Sequence, residues 1–147
     1  MLIDGLSKPS SRSKPKPGAE STLILDTSAV SATADDHPAI RSLLAGAAEI
    51  ALPVIVLGEY RSGVAQSRYR AEYQRWLEKF MAACTVLDVT EHTTPFYAAI
   101  KLELKQAGRP IPINDLWIAA LCRQHRLPLL SRDAHFDRIA GIQRVEW

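Results

Sequence analysis

Residues 112–122, Pro-Ile-Asn-Asp-Leu-Trp-Ile-Ala-Ala-Leu-Cys, set an acidic residue directly ahead of an unbroken apolar run. From Leu116 to Cys122 every residue is apolar, so a helix here has no polar face and is expected to be buried. Asp115 stands at its head. A carboxylate in that place either answers the helix dipole or points into a cleft. On the first reading Asn114 caps the helix and Asp115 merely interacts with its positive end.

The flanks of this run alternate between two periodicities. Thr22–Leu25 is a short apolar strand ending at Asp26, and a helical patch follows through Ala34. Further helices are expected over Pro38–Ala48 and Pro53–Val64, the second with Pro53 in its first turn, where proline is tolerated. Tyr69, Tyr73, Trp76, Leu77 and Phe80 recur at helical spacing, and Thr93–Ala107 is a helix that stops at Gly108 and cannot resume through Pro110 and Pro112. Strands are expected at Glu49–Leu52, Cys84–Val89, Leu127–Leu130 and near Val145, with a turn at Ser131–Asp133. Strands alternating with helices imply a parallel sheet covered on both faces.

Composition bounds the rest. A chain of 147 residues with 47% hydrophobic content suits one domain with a core. Residues 1–20 are rich in Pro, Ser and Lys without apolar periodicity and read as a disordered tail, leaving 21–147 as the domain. The tail carries the whole formal charge of +2, so the body is neutral. Apolar runs are too short to span a membrane, and Asp4 interrupts any secretory segment. Cys84 and Cys122, far apart and in apolar surroundings, read as reduced thiols of a cytoplasmic protein.

Parallel α/β sheets bind ligands beyond the carboxyl ends of their strands. Asp26 and Asp133 fall there, and Glu59 and Asp115 lie on helices with Pro-marked starts. Each has an ordinary alternative: Asp26 as a helix cap, Glu59 as a solvated residue, Asp133 as a turn residue. Carboxylates meeting at one rim repel by roughly 4 kcal/mol per pair at about 4 Å and an effective dielectric near 20. Protonation or bound dications offset that, and an all-oxygen set suits Mg²⁺ or Mn²⁺ rather than Zn²⁺. His37, His92, His125 and His135 show no metal-ligand spacing among themselves.

Four segments in order, "LILDTSAV" (23–30), "LGEYRSG" (57–63), "INDLWIAALC" (113–122) and "LLSRDAHFDRIAGI" (129–142), together resemble a PIN-domain protein of the VapC toxin group. The resemblance implies a three-layer α/β/α sandwich with a short central parallel sheet. It also implies a Mg²⁺- or Mn²⁺-dependent endoribonuclease acting on RNA, a small VapB-like antitoxin partner, and a homodimer. Its acidic quartet corresponds to Asp26, Glu59, Asp115 and Asp133 as catalytic and metal-holding residues. Asp137, near the last of these, could substitute for or assist Asp133. Ser131 stands where the family often has Thr; Thr27, Ser28, Asn114 and Ser131 are then supporting groups for the carboxylates. No histidine is needed as a base. Arg61, Arg109 and Arg132 are candidate RNA contacts, with Arg68 and Arg70 beside them; each is equally an ordinary surface or partner-contacting residue. The aromatic stripe Tyr69–Phe80 is either core or part of a groove for an apolar antitoxin segment. A catalytically inactive PIN-fold module that binds RNA or protein is the alternative. A haloacid-dehalogenase-like phosphatase wants an acid where Ser28 stands, and a phosphorelay receiver wants a paired early acid and a late lysine.

Overall fold

The structure, a computed structural model, describes residues 22–147; the tail expected over residues 1–20 lies outside them. Five parallel strands form one sheet in the order β3-β2-β1-β4-β5. They are β1 (Thr22–Leu25), β2 (Glu49–Pro53), β3 (Thr85–Leu87), β4 (Leu129–Leu130) and β5 (Arg144–Val145). Six helices connect them: α1 (Thr27–Ala34), α2 (Pro38–Ala45), α3 (Val54–Ala65), α4 (Arg70–Ala82), α5 (Thr94–Gln106) and α6 (Ile113–His125).

From β1 the chain steps outward through β2 to β3, then crosses back past β1 to β4. Right-handed crossovers therefore put α1–α4 on one face and α5–α6 on the other. The contacts agree: α1 packs on α2, α3 and α4, and α5 on α6. This is the three-layer α/β/α sandwich expected. Leu23, Ile24 and Leu25 on the central strand are fully buried, as a strand covered on both sides must be. Leu116 and Ile118–Cys122 on α6 are buried as well, which bears out the apolar run as an interior helix.

Several boundaries differ from expectation, each for a local reason. Pro53 ends β2, pairing with Leu87, because its ψ of 138° is extended; α3 begins only at Val54. Helix α2 stops at Ala45, where the Gly46 N–H turns back onto the Ser42 carbonyl at 3.3 Å and the Ala47 N–H onto that of Leu44 at 3.2 Å. Leu127 is not in β4, since its N–H is taken by the Cys122 carbonyl at 3.2 Å. Cys84 lies in the bend between α4 and β3, its N–H turned back onto the Met81 carbonyl at 3.0 Å and its thiol facing the Phe80 carbonyl at 3.1 Å. Asn114 does not cap α6: the helix starts one residue earlier, after Pro112, and Asn114 lies exposed in its first turn. Proline's fixed φ of −56° makes it a ready entry residue.

Both cysteines are free, and burial pushes the Cys84 thiol up to about 11 and the Cys122 thiol higher still. Helix α6 ends in a left-handed residue, Arg126 at φ 55°, exposed and with no side-chain hydrogen bond among the described residues. Glycine occupies that conformation without steric cost. Arg126→Gly is therefore expected to stabilise the fold by about 0.5 kcal/mol, seen as a raised thermal midpoint. A lowered midpoint would mean that the arginine side chain makes contacts that outweigh the backbone strain.

Candidate metal centre

The change in crossover direction falls between β1 and β4, which is where doubly wound sheets place their ligands. Asp26 directly follows β1, and Ser131–Asp133 directly follow β4. The Asp26 N–H donates to the Leu130 carbonyl at 3.2 Å, so the two strand ends are stitched together at the rim. Helices α3 and α6 meet over this rim and deliver Glu59 and Asp115. The result is an open cleft of about 420 Å³ lined by Asp26, Glu59, Asp115 and Asp133 together with Thr27, Ser28 and Arg132. All four carboxylates expected from the sequence line it.

Asp26 is 6% exposed, and both of its oxygens are engaged. Oδ1 accepts from the Ala29 N–H at 3.0 Å, which caps α1, and from Ser28 Oγ at 2.6 Å. Oδ2 accepts from Ser131 Oγ. The Ser131 hydroxyl in turn accepts from the Asp133 N–H at 3.0 Å, carrying the network across to the last acid. Asp26 is thus both helix cap and cleft residue; the two readings are not exclusive. Thr27 Oγ1 donates to Glu59 Oε1 at 3.1 Å and holds that side chain against α1. Ser28, Ser131 and Thr27 accordingly touch the acids they were expected to support. Asn114 instead lines an adjoining hollow with Glu59.

Burial raises the Asp115 carboxyl above its ordinary pKa, against the pull of His135, with Glu59 and Asp133 adding repulsion. Two carboxylates outside the cleft shift the opposite way. Arg123 clasps Glu103 at 3.0 and 2.9 Å and holds its pKa below 4.5. Arg144 clasps Asp137 at 2.9 and 2.8 Å with the same effect. A depressed carboxylate contributes stability that is present above its unfolded pKa and is lost as pH falls through its folded pKa. Asp115 works the other way, its stability deficit at neutral pH shrinking as it takes up a proton. Denaturant midpoints measured on acidification should therefore fall less below pH 4.5 in Glu103→Gln than in the wild type. Equal slopes would remove Glu103 from acid unfolding.

Not every expected residue reaches the cleft. Asp137 does not line it: Arg144 holds it on the far side of the short turn Ala134–Arg138. Asp133, not Asp137, faces the other acids. Arg61 pairs with Glu78 at 3.0 Å on the outer surface of α3 and α4, because the helix periodicity points it away from Glu59. Arg109 is exposed beyond α5, and Arg68 stacks on Tyr69 at 4.9 Å. Arg132 alone of these arginines lines the cleft, its guanidinium over the Trp147 ring at 4.8 Å. The aromatic stripe is mostly inward: Leu77 is buried, Trp76 stacks on Phe80 at 4.9 Å, and Tyr69 is exposed.

His135 is the residue that spacing between histidines could not reveal. Its ring sits between two acids, Nε2 at 2.7 Å from Asp115 Oδ2 and Nδ1 at 2.8 Å from Asp133 Oδ1. The only signal was its place two residues after Asp133 in a turn.

Carboxylates gathered at the switch point of a parallel sheet define a class, the α/β/α proteins that use a hard dication at an acid-ringed rim. The PIN domain family matches residues 23–142, and this chain belongs to it. It is 32% identical over 126 residues to Ribonuclease VapC5 of Mycobacterium tuberculosis, covering 84% of this chain and 91% of that protein. It is 31% identical over 106 residues to Ribonuclease VapC2 of Rickettsia felis, covering 71% and 79%. Among solved structures, VapBC2 from Rickettsia felis bound to a promoter DNA fragment superposes with a TM-score of 0.78 at 28% identity, over 86% of this chain and 98% of that one. VapBC-5 from Mycobacterium tuberculosis, a toxin–antitoxin family member, gives 0.69 at 27% identity, over 86% and 99%. The likeness to VapC proteins read from four short segments therefore holds across the domain.

Proposed function

We propose that the chain is a Mg²⁺- or Mn²⁺-dependent endoribonuclease, the toxin of a VapBC-like pair. The observation that carries this reading is the convergence of Asp26, Glu59, Asp115 and Asp133 from four separate segments in a chain whose relatives are ribonucleases. The donor chemistry fits a hard dication: four carboxylates lie together, and Asp115 carries a raised pKa that nearby positive charge would relieve. These four residues would hold the ion, directly or through intervening groups such as water, and when bound it supplies a water of lowered pKa and stabilises the leaving oxygen.

The chain's own groups divide the remaining work. Ser28 and Ser131 keep Asp26 oriented, and Thr27 keeps Glu59 turned inward. Arg132 offers a cation at the cleft mouth for an RNA phosphate. Two dications would also shift the otherwise neutral body by about four charges toward a field that attracts RNA. Beside the cleft, a hollow of about 230 Å³ between α1, α3 and α4 is lined by Tyr60, Val64 and Tyr73. It suits an apolar segment of a small antitoxin, which supports part of the stripe as a partner surface. A homodimer in the cytoplasm completes the proposal; among the described residues no helix is long and apolar enough to cross a membrane.

The test is to map cut sites in total RNA treated with purified protein, with Mg²⁺, with Mn²⁺ and with EDTA. Cation-dependent cuts at discrete sites are expected. Binding of RNA or of a co-expressed small partner without any cuts would favour the inactive module.

A further inference from the structure

The acids are not the only donors at the rim. His135 sets each ring nitrogen against a different carboxylate. Nδ1 lies 2.8 Å from Asp133 Oδ1, and the His135 backbone N–H donates to the same oxygen at 3.2 Å. Asp133 is thereby the cap of the Ala134–Arg138 turn and the carboxylate that faces Nδ1. Nε2 is left over. It is buried and has no hydrogen-bond partner, although Asp115 Oδ2 is only 2.7 Å away. Neither ring contact is aligned as a hydrogen bond, and Nε2 is the nitrogen enclosed without a partner. The length of the Nε2 contact instead approaches the separation of neighbouring ligands on one ion, about 3 Å for octahedral coordination with bonds near 2.1 Å. Ligand atoms of Asp115, Asp133 and His135 all fall within 4.8 Å of one another. A carboxylate holding the far nitrogen of a metal-bound imidazole is a recurring arrangement, because it sets the tautomer and raises ligand basicity.

We propose that His135 Nε2 is a nitrogen ligand to the dication of this cleft, with Asp133 Oδ1 holding the ring as the Nδ1–H tautomer. The inference rests on the cleft being a dication site. It assigns one imidazole to the set and makes Asp133 act on the ion through His135 rather than directly. Imidazole favours Mn²⁺ over Mg²⁺, so the cleft should prefer Mn²⁺. The competing arrangement is a doubly protonated His135 that bridges Asp115 and Asp133 as an ion pair and never touches the ion.

Pulsed electron paramagnetic resonance on Mn²⁺-loaded protein separates the two, since a directly bound imidazole nitrogen modulates the Mn²⁺ echo at ¹⁴N frequencies. The wild type should show this modulation, and His135→Gln and His135→Ala should both lack it. Calorimetric competition should show the preference for Mn²⁺ over Mg²⁺ falling about 10-fold or more in both variants. Wild-type Mn²⁺ bound without ¹⁴N modulation would overturn the assignment, as would modulation that survives both substitutions. Should a variant misfold, the wild-type spectrum alone decides. Failure to bind Mn²⁺ at all would remove the ligand and the dication reading together. RNA cleavage is read separately: modulation without cleavage keeps the ligand and sinks the nuclease reading, and cleavage without modulation does the reverse.

Discussion

Asp115→Asn is expected to slow RNA cleavage by about 1,000-fold while leaving the thermal midpoint unchanged or raised. The first half follows from the loss of one charged oxygen from a site asked to stabilise developing negative charge. About 4 kcal/mol of that stabilisation corresponds to three powers of ten in rate. The second half follows from burial. The ionised Asp115 is disfavoured by its surroundings and by Glu59 and Asp133, so a neutral side chain of the same shape relieves a cost. Losing the pull of His135 offsets part of that gain. Cleavage assays and thermal unfolding on one preparation check both halves. Full activity in the variant would exclude Asp115 from the chemistry, and inactivity with a collapsed midpoint would make its role structural.

Asp26 should behave in the contrary way. Its carboxylate receives the Ala29 N–H and the hydroxyls of Ser28 and Ser131 in a nearly solvent-free position. Asp26→Ala strands all three donors and uncaps α1, with an expected loss of about 3 kcal/mol. In a domain of this size that is a fall of about 9 °C in the thermal midpoint. Asp26→Asn keeps one carbonyl acceptor for the cap and should lose only about 1 kcal/mol. Both should be inactive, because neither offers a charged oxygen. The pair separates the clasp from the chemistry: equal stability of Asp26→Ala and the wild type would show that the hydroxyls find other partners and that the network adds little.

Much of the architecture was readable in the chain. The apolar run Leu116–Cys122 has no face for water, so an interior helix was forced, and the strand at Thr22–Leu25 is apolar on both sides, so a central position followed. Element ends were less readable because they depend on single backbone hydrogen bonds. The Leu127-to-Cys122 bond, closed through the left-handed Arg126, keeps Leu127 out of β4, and an arginine does not announce that backbone. Asp26, Asp115 and Asp133 were legible because each stands next to a strand end or helix start; Glu59, mid-way along α3, was legible from its apolar neighbours and the resemblance. Of the arginines, Arg61 could have been set aside by its spacing of two from Glu59 along one helix, whereas its pairing with Glu78 depends on how α3 packs on α4.

Residue types and their order were enough for a parallel sandwich and for three carboxylates at its elements' ends, because burial patterns and strand-end positions are local properties of the chain. Which further groups share the space was settled by folding alone. Ser131 meets Asp26 across 105 positions of sequence, and His135 enters between Asp115 and Asp133 by the path of one short turn. Such meetings depend on how β4 is seated against β1 to within an ångström or two, and hydrogen bonds and metal ligands are sensitive at that scale, whereas apolar periodicity is not.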